Sequence, residues 1–188
     1  MLKKYKKYKT SRGFTLIEMT VSIFIIALIS GLFLINYRSA ERSSSLSAAA
    51  QEMVSNIRSA QNNSLGSKDF KQAIPAGGWG INFDSASTTY TIFADVNGDR
   101  KYSAGENYQF IKLPPSVVIN SINIISAIAT TTVANADIVF LPPDPQTFIN
   151  KYFDADNNTG LRITLRETAS NATKVIEVNS FGLIDLGQ

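Results

Sequence analysis

Residues 12–35 read RGFTLIEMTVSIFIIALISGLFLI, and the interpretation of the whole chain turns on this stretch. From Phe14 to Ile35 it carries a single charge, Glu18. A helix of these 22 residues extends roughly 33 Å, enough for the hydrocarbon core of a bilayer. A secretory signal peptide would have a shorter apolar core with a small-residue cleavage site behind it. A carboxylate inside a membrane segment is costly and ordinarily has a partner or a task.

The flanks give the segment a direction. Residues 1–13 hold Lys3, Lys4, Lys6, Lys7, Lys9 and Arg12 and no acid. The net charge of +3 comes from this leader: without it, 12 Lys and Arg face 15 Asp and Glu, a net charge of −3. The basic character therefore argues for a cytoplasmic, positive-inside end rather than a nucleic-acid surface. A patch of Lys68, Lys71, Arg100 and Lys101 is read as ordinary surface charge, and nucleic acid is not an expected partner. The 188 residues contain no cysteine, which excludes disulfides and thiolate metal sites. They contain no histidine, which removes the usual general base near neutral pH. No phosphate-cradling glycine loop or nucleophile motif is present, so no catalytic residue is nominated and the chain is not read as an enzyme.

The junction Gly13-Phe14-Thr15-Leu16-Ile17-Glu18, with its basic leader and apolar span, resembles the type III signal of type IV pilins and type II secretion pseudopilins. The resemblance implies cleavage after Gly13 by a prepilin peptidase and methylation of the new amine on Phe14. Glycine before the scissile bond suits entry of the backbone into a protease site. Glu18 of one subunit then pairs with the Phe14 amine of a neighbour, offsetting the burial of both charges and setting axial register. The implied partners are the peptidase, other pilin or pseudopilin subunits, an inner-membrane assembly platform and, before assembly, membrane lipid. The implied location is the bacterial inner membrane, single-pass with the C-terminal domain outside the cytoplasm, and later a filament.

The helix is expected to continue past the membrane. Leu46, Ala50, Met53, Ile57 and Ala60 recur at spacings of 4, 3, 4 and 3, one stripe of an amphipathic helix, with Arg38, Glu41, Arg42, Gln51, Glu52 and Arg58 mostly off it. The stripe is read as core packing. Gly66 is the expected stop, because glycine accepts the left-handed conformation past a helix end. Gly31 and Ser43-Ser44-Ser45 are candidate bends.

After Gly66 the sequence turns to β: runs rich in Val, Ile, Thr, Tyr and Phe are separated by Gly, Pro, Asn and Asp. Strands are expected at 79–83, 88–94, 108–113, 117–125, 137–141, 161–166, 174–178 and 182–186, with Asn179-Ser180-Phe181-Gly182 as the turn of a final hairpin. Residues 67–78 and 126–136 read as loops, the second open to reading as strand. The fold class is α+β, a long N-terminal helix packed on a C-terminal antiparallel β domain. Its parts are a basic leader (1–13), a transmembrane half of the helix (14–36), an amphipathic half (37–66) and a β-rich domain (67–188). This layout is most similar to the H-type minor pseudopilin and related minor pilins, implying a minor, tip or priming subunit. The alternatives are a competence minor pilin that takes up DNA and a signal-anchored periplasmic binding domain.

One loop carries candidate metal ligands. In the twelve residues Asp95–Glu106, oxygen side chains fall at positions 1 (Asp95), 3 (Asn97), 5 (Asp99), 9 (Ser103) and 12 (Glu106), with the Lys101 carbonyl at position 7. That spacing suits Ca²⁺, the one cofactor nominated. Position 6 is Arg100 rather than the usual glycine, and Asn97-Gly98-Asp99 equally makes a plain turn without metal. Asp154, Asp156 and Asn158 have the same initial spacing, but Leu165 stands at position 12, so an Asx-rich turn is preferred there.

Overall fold

A computed structural model describes residues 13–142, 146–150 and 159–187. The basic leader and the Asp154–Asn158 turn lie outside these described residues. The chain divides into two compact units, Met1–Ala40 and Glu41–Gln188.

Helix α1 runs Leu16–Leu65. In the first unit, the 18 residues Leu16–Phe33 have the length and composition to cross a membrane, and none of them is buried. Leu16, Ile23, Phe24, Ile26, Leu32 and Phe33 all stand more than 60% exposed. Side chains of this size gain roughly 1.5–3 kcal/mol each on leaving water, so such a surface calls for lipid or protein around it.

In the second unit the same helix is amphipathic, as the spacing predicts. Leu46, Ala50, Met53, Ile57 and Ala60 are buried, and Glu41, Arg42, Gln51, Glu52 and Arg58 are exposed. The end of the helix differs in one detail. The left-handed residue is Ser67 (φ 49°), one place after Gly66. Ser67 N–H donates to the Ser64 carbonyl and Lys68 N–H to that of Asn63, the paired bonds of a Schellman cap. Gly66, the first residue past the helix, still donates to the Asn62 carbonyl at 2.8 Å. Glycine lets the chain leave the helix here, and Ser67 takes the left-handed position.

Among the described residues, ten strands form two antiparallel sheets. The first comprises β1 (Trp79–Asp84), β2 (Thr89–Ala94), β3 (Asn107–Lys112), β6 (Asn135–Leu141) and β7 (Gln146–Ile149), in the order β3-β2-β1-β6-β7. The second comprises β4 (Val117–Ile125), β5 (Thr130–Val133), β8 (Gly160–Glu167), β9 (Thr173–Asn179) and β10 (Ile184–Gly187), in the order β10-β9-β8-β4-β5. The eight expected strands are present to within a few residues. Strand β5 lies within the 126–136 stretch that is open to reading as loop or strand, and β7 lies outside the eight expected strands. Both are only four residues long, too short to show alternation.

One core joins the helix stripe to a face of each sheet. The first sheet contributes Trp79, Ile81, Phe83, Tyr90, Ile92, Ile138 and Phe140, and the second Ile119, Ile122, Ile163, Leu165, Ile176 and Val178. Polar anchors fix the helix over this core. Asn56 Nδ2 donates to the Tyr90 hydroxyl at 2.8 Å, and buried Ser64 Oγ donates to the Phe140 carbonyl. The final hairpin closes as expected: Asn179 Oδ1 accepts the Phe181 and Leu183 N–H groups, and Gly182 takes φ 77°.

The outer face of the first sheet carries a second, smaller core of Phe93, Val139 and Phe148, with Tyr102 and Leu141 against it. Gly80 makes room for it. Gly80 pairs with Phe93 across the β1–β2 ladder, and a Cβ there would stand 2.7 Å from the Phe93 ring. The ring thus covers the bare glycine backbone, a known way to hold a glycine in a strand.

Candidate functional site

Two places carry the candidate residues, and each is described by itself. The first is the start of α1. Gly13, Phe14 and Thr15 precede the helix in non-helical backbone. Thr15 is the N-cap. Its Oγ1 accepts the Glu18 N–H at 3.3 Å, and Glu18 Oε2 reaches back to accept the Thr15 N–H at 3.3 Å. This reciprocal arrangement is a capping box, satisfying two donors that a helix start leaves orphaned. The Glu18 carboxylate also sits favourably near the positive end of the helix dipole. Thr15-Leu-Ile-Glu18 carries the S/T-x-x-E signature of such a box, a local use of Glu18 in addition to the expected assembly role. The structure therefore puts Glu18 in contact with Thr15, next to the junction it was expected to serve.

Among the described residues, nothing requires glycine at position 13. A Cβ built on it meets nothing within 4 Å, and its φ is not positive. By contrast, Gly77 and Gly78 are sterically required: added Cβ atoms would fall 1.9 Å from Asp95 Oδ2 and 2.1 Å from the Phe140 carbonyl oxygen.

The non-helical junction, the capped helix start and the exposed apolar helix form one continuous element. Residues 8–34 match the prokaryotic N-terminal methylation motif. The methylation motif spans the end of the basic leader, the Gly13–Phe14 bond, Glu18 and the bilayer-length segment. It supports a type IV pilin-like subunit, a class of structural rather than catalytic proteins, and implies processing by a prepilin peptidase and assembly with other pilins. With the apolar helix it fits a membrane-anchored, single-pass protein. No curated protein and no solved structure matches the chain.

The second place is the Asp95–Glu106 loop, which the structure shows as closed by its own backbone. Asp95 is fully buried; Oδ1 accepts the Gly98 N–H and Oδ2 the Arg100 N–H, both at 2.8 Å. Glu106 Oε1 accepts the N–H groups of Val96 and Asn97, and Oε2 that of Ser103. Asn97 and Asp99 each accept the N–H two residues on, as Asx turns. Burial, above all, raises the Asp95 carboxyl above the ordinary carboxylate range, with the nearby charges of Glu106 and Asp99 adding to it. Arg100 takes φ 64°, the left-handed conformation that glycine usually supplies at position 6, and its guanidinium lies 3.9 Å from the centre of the Phe148 ring. Stacking there helps hold a non-glycine residue in an unfavourable region. Among the described residues, no group of three or more Asp, Glu, His or Cys side chains is arranged to hold a metal ion.

Three of the four residues of the basic patch, Lys68, Lys71 and Arg100, make contacts within the domain. Lys68 Nζ donates to the Tyr108 hydroxyl at 2.9 Å, Lys71 Nζ donates to the Gly105 carbonyl at 2.7 Å, and Arg100 covers Phe148. Trp79 is a core residue, 1% exposed, whose Nε1 donates to the Lys68 carbonyl.

Proposed function

We propose that the chain is a pilin or pseudopilin subunit, processed after Gly13 and built into a type II secretion pseudopilus or type IV pilus as a minor, tip or priming component. The observation that carries this reading is the methylation motif lying on a capped, fully exposed apolar helix. Cleavage between Gly13 and Phe14 leaves an amine on the residue immediately before the N-cap. Glu18 of a neighbouring subunit is proposed as its partner, because an unpaired charge in an apolar filament core is expensive. The minor rather than major role, and the likeness to the H-type pseudopilin, rest on the sheet-rich layout of the second unit.

Mass spectrometry of the protein from cells with and without a prepilin peptidase tests this. The expected mature form begins at Phe14 with one added methyl group and appears only where the peptidase is present. An intact chain starting at Met1 in both strains refutes it.

We propose calcium as an accessory ligand of the Asp95–Glu106 loop. Support comes from the oxygen side chains at positions 1, 3, 5, 9 and 12 and from the left-handed backbone at position 6. Since the carboxylates already accept N–H bonds, binding requires them to shift from this arrangement. A calcium titration of the unfolding midpoint is the test. At a hundredfold excess over Kd the stabilisation is about 2.7 kcal/mol, or roughly 5–10 °C in a domain of this size. A flat titration leaves the plain turn.

A further inference from the structure

The outer face of the first sheet changes character along β1 and β6. Beyond the dry patch of Gly80 and Val139, the next two cross-strand pairs are Asn82 with Asp137 and Asp84 with Asn135. Asn and Asp are among the poorest strand formers, since neither packs well on a pleated surface. Four of them in register on two central, adjacent strands do not serve the ladder. A need outside strand stability accounts for them better.

These four side chains line an open cleft of about 590 Å³, completed by Lys101, Tyr102 and Asn150. The volume lies within the range of small-ligand sites, roughly 300–1,000 Å³. The walls are held in place from behind. Asn82 Nδ2 donates to Asp137 Oδ1 at 2.8 Å, and Asn150 Oδ1 accepts the Asp137 N–H at 2.9 Å. The Tyr102 ring rests edge-on against Phe93, 5.5 Å between centroids, in the loop that Asp95 and Glu106 close. The floor and one wall are therefore preorganised, which lowers the ordering cost of binding. Toward the cleft, the Asp84 carboxylate, the Asn135 amide, the Asn150 NH₂ and the Lys101 ammonium make no hydrogen bond to protein among the described residues.

The chemistry of this lining selects among ligands. Amide NH₂, ammonium and phenol groups donate, while carboxylate and amide oxygens accept, so the cleft asks for a ligand that does both at closely spaced points. Planar Asn amides match adjacent hydroxyls, donating to one and accepting from the next, and planar Asp carboxylates accept from two. Two carboxylates beside the cleft disfavour an anion. One ammonium and only two carboxylates disfavour a divalent cation. The polar lining disfavours an apolar ligand, while Tyr102 offers a ring to the C–H face of a sugar. Burial also holds the Asp137 carboxyl above the ordinary carboxylate range. We propose that the cleft between β1, β6 and the Lys101–Tyr102 segment binds a neutral carbohydrate, read through Asn82, Asp84, Asn135 and Asp137. The site belongs to the sheet domain and does not depend on how the N-terminal helix is processed.

The test uses the full chain in a zwitterionic, non-glycosidic detergent on an array of neutral, sialylated and sulfated oligosaccharides. Its control is the double variant Asp84→Ala/Asn135→Ala. Both positions are exposed, so the unfolding midpoint should stay with wild type. The expected result is retention of a subset of neutral glycans, weakened at least tenfold in the double variant. Any of three results overturns the proposal: no glycan above background, retention confined to sialylated or sulfated glycans, or equal binding by the double variant.

Discussion

Replacing Ile57 by alanine separates the two kinds of work that one helix does. Ile57 is fully buried in the core shared by the helix and both sheets. Ile57→Ala removes three carbons, worth roughly 2.4 kcal/mol at about 0.8 kcal/mol per methylene. The cavity left behind brings the loss to about 3–4 kcal/mol, inside the usual 2–5 kcal/mol for such truncations. At roughly 2–4 °C per kcal/mol, Tm falls by about 6–16 °C. The parallel change Ile25→Ala is in the apolar half, where the side chain is 49% exposed, and should leave the domain's Tm unchanged. The assay is thermal unfolding of the full chain in detergent micelles, followed by tryptophan fluorescence. Trp79 is the chain's only tryptophan and is 1% exposed, so the signal reports the sheet domain alone. Equal shifts for the two variants, or a shift below about 1 °C for Ile57→Ala, would refute the division of labour.

Thr15→Ala removes half of the capping box and should cost about 1 kcal/mol of local helix stability, with Thr15→Ser restoring most of it; amide exchange at residues 16–19 measures both. Gly77→Ala forces a methyl onto the Asp95 carboxylate, 1.9 Å from Oδ2. It should open the Asp95–Glu106 loop, seen as new proteolytic cleavage there while the helix stripe remains protected. Acid should act on the carboxyls in opposite directions. Asp95 and Asp137 sit above their ordinary value of 3.8, mainly through burial, so their contribution is fully present below pH 3.8 and is lost as pH rises through their folded values. Glu167 is lowered from 4.5, chiefly by the Ser170 hydroxyl and N–H, so its contribution is present above pH 4.5 and lost as pH falls through its folded value. In Tm measured against pH, Glu167→Gln should flatten the acid limb and Asp137→Asn should flatten the opposing slope above pH 3.8.

The parts of the fold written in long periodic patterns were legible. The stripe from Leu46 to Ala60 follows from a helical spacing that five residues repeat, and the strand at Val117–Ile125 from a long run rich in Val and Ile; the structure has both. Strand β7 escaped because Gln146-Thr-Phe-Ile carries too few residues for a period and lies next to Pro142-Pro143. The left-handed residues are a different matter. Gly66 marked the helix end, but hydrogen-bond registration put the left-handed turn on Ser67, and stacking on Phe148 put another on Arg100. Such positions are decided by tertiary partners that a local reading does not contain. The Asn/Asp cleft was written as two alternating triplets, Asn82-Phe-Asp84 and Asn135-Ala-Asp137, distant in sequence and united only by the β1–β6 register.

The Thr15–Glu18 box has a consequence for how subunits are kept in the membrane. A carboxylate waiting for another molecule's amine would be a standing liability in lipid, yet this one already has local donors in the backbone N–H and hydroxyl of Thr15. On the proposed reading, joining the filament exchanges one set of partners for another, so the drive to assemble is the difference between two satisfied states. A pool of idle subunits can then persist without strong pressure to polymerise, and polymerisation becomes sensitive to modest changes at the amine, such as a single methyl group.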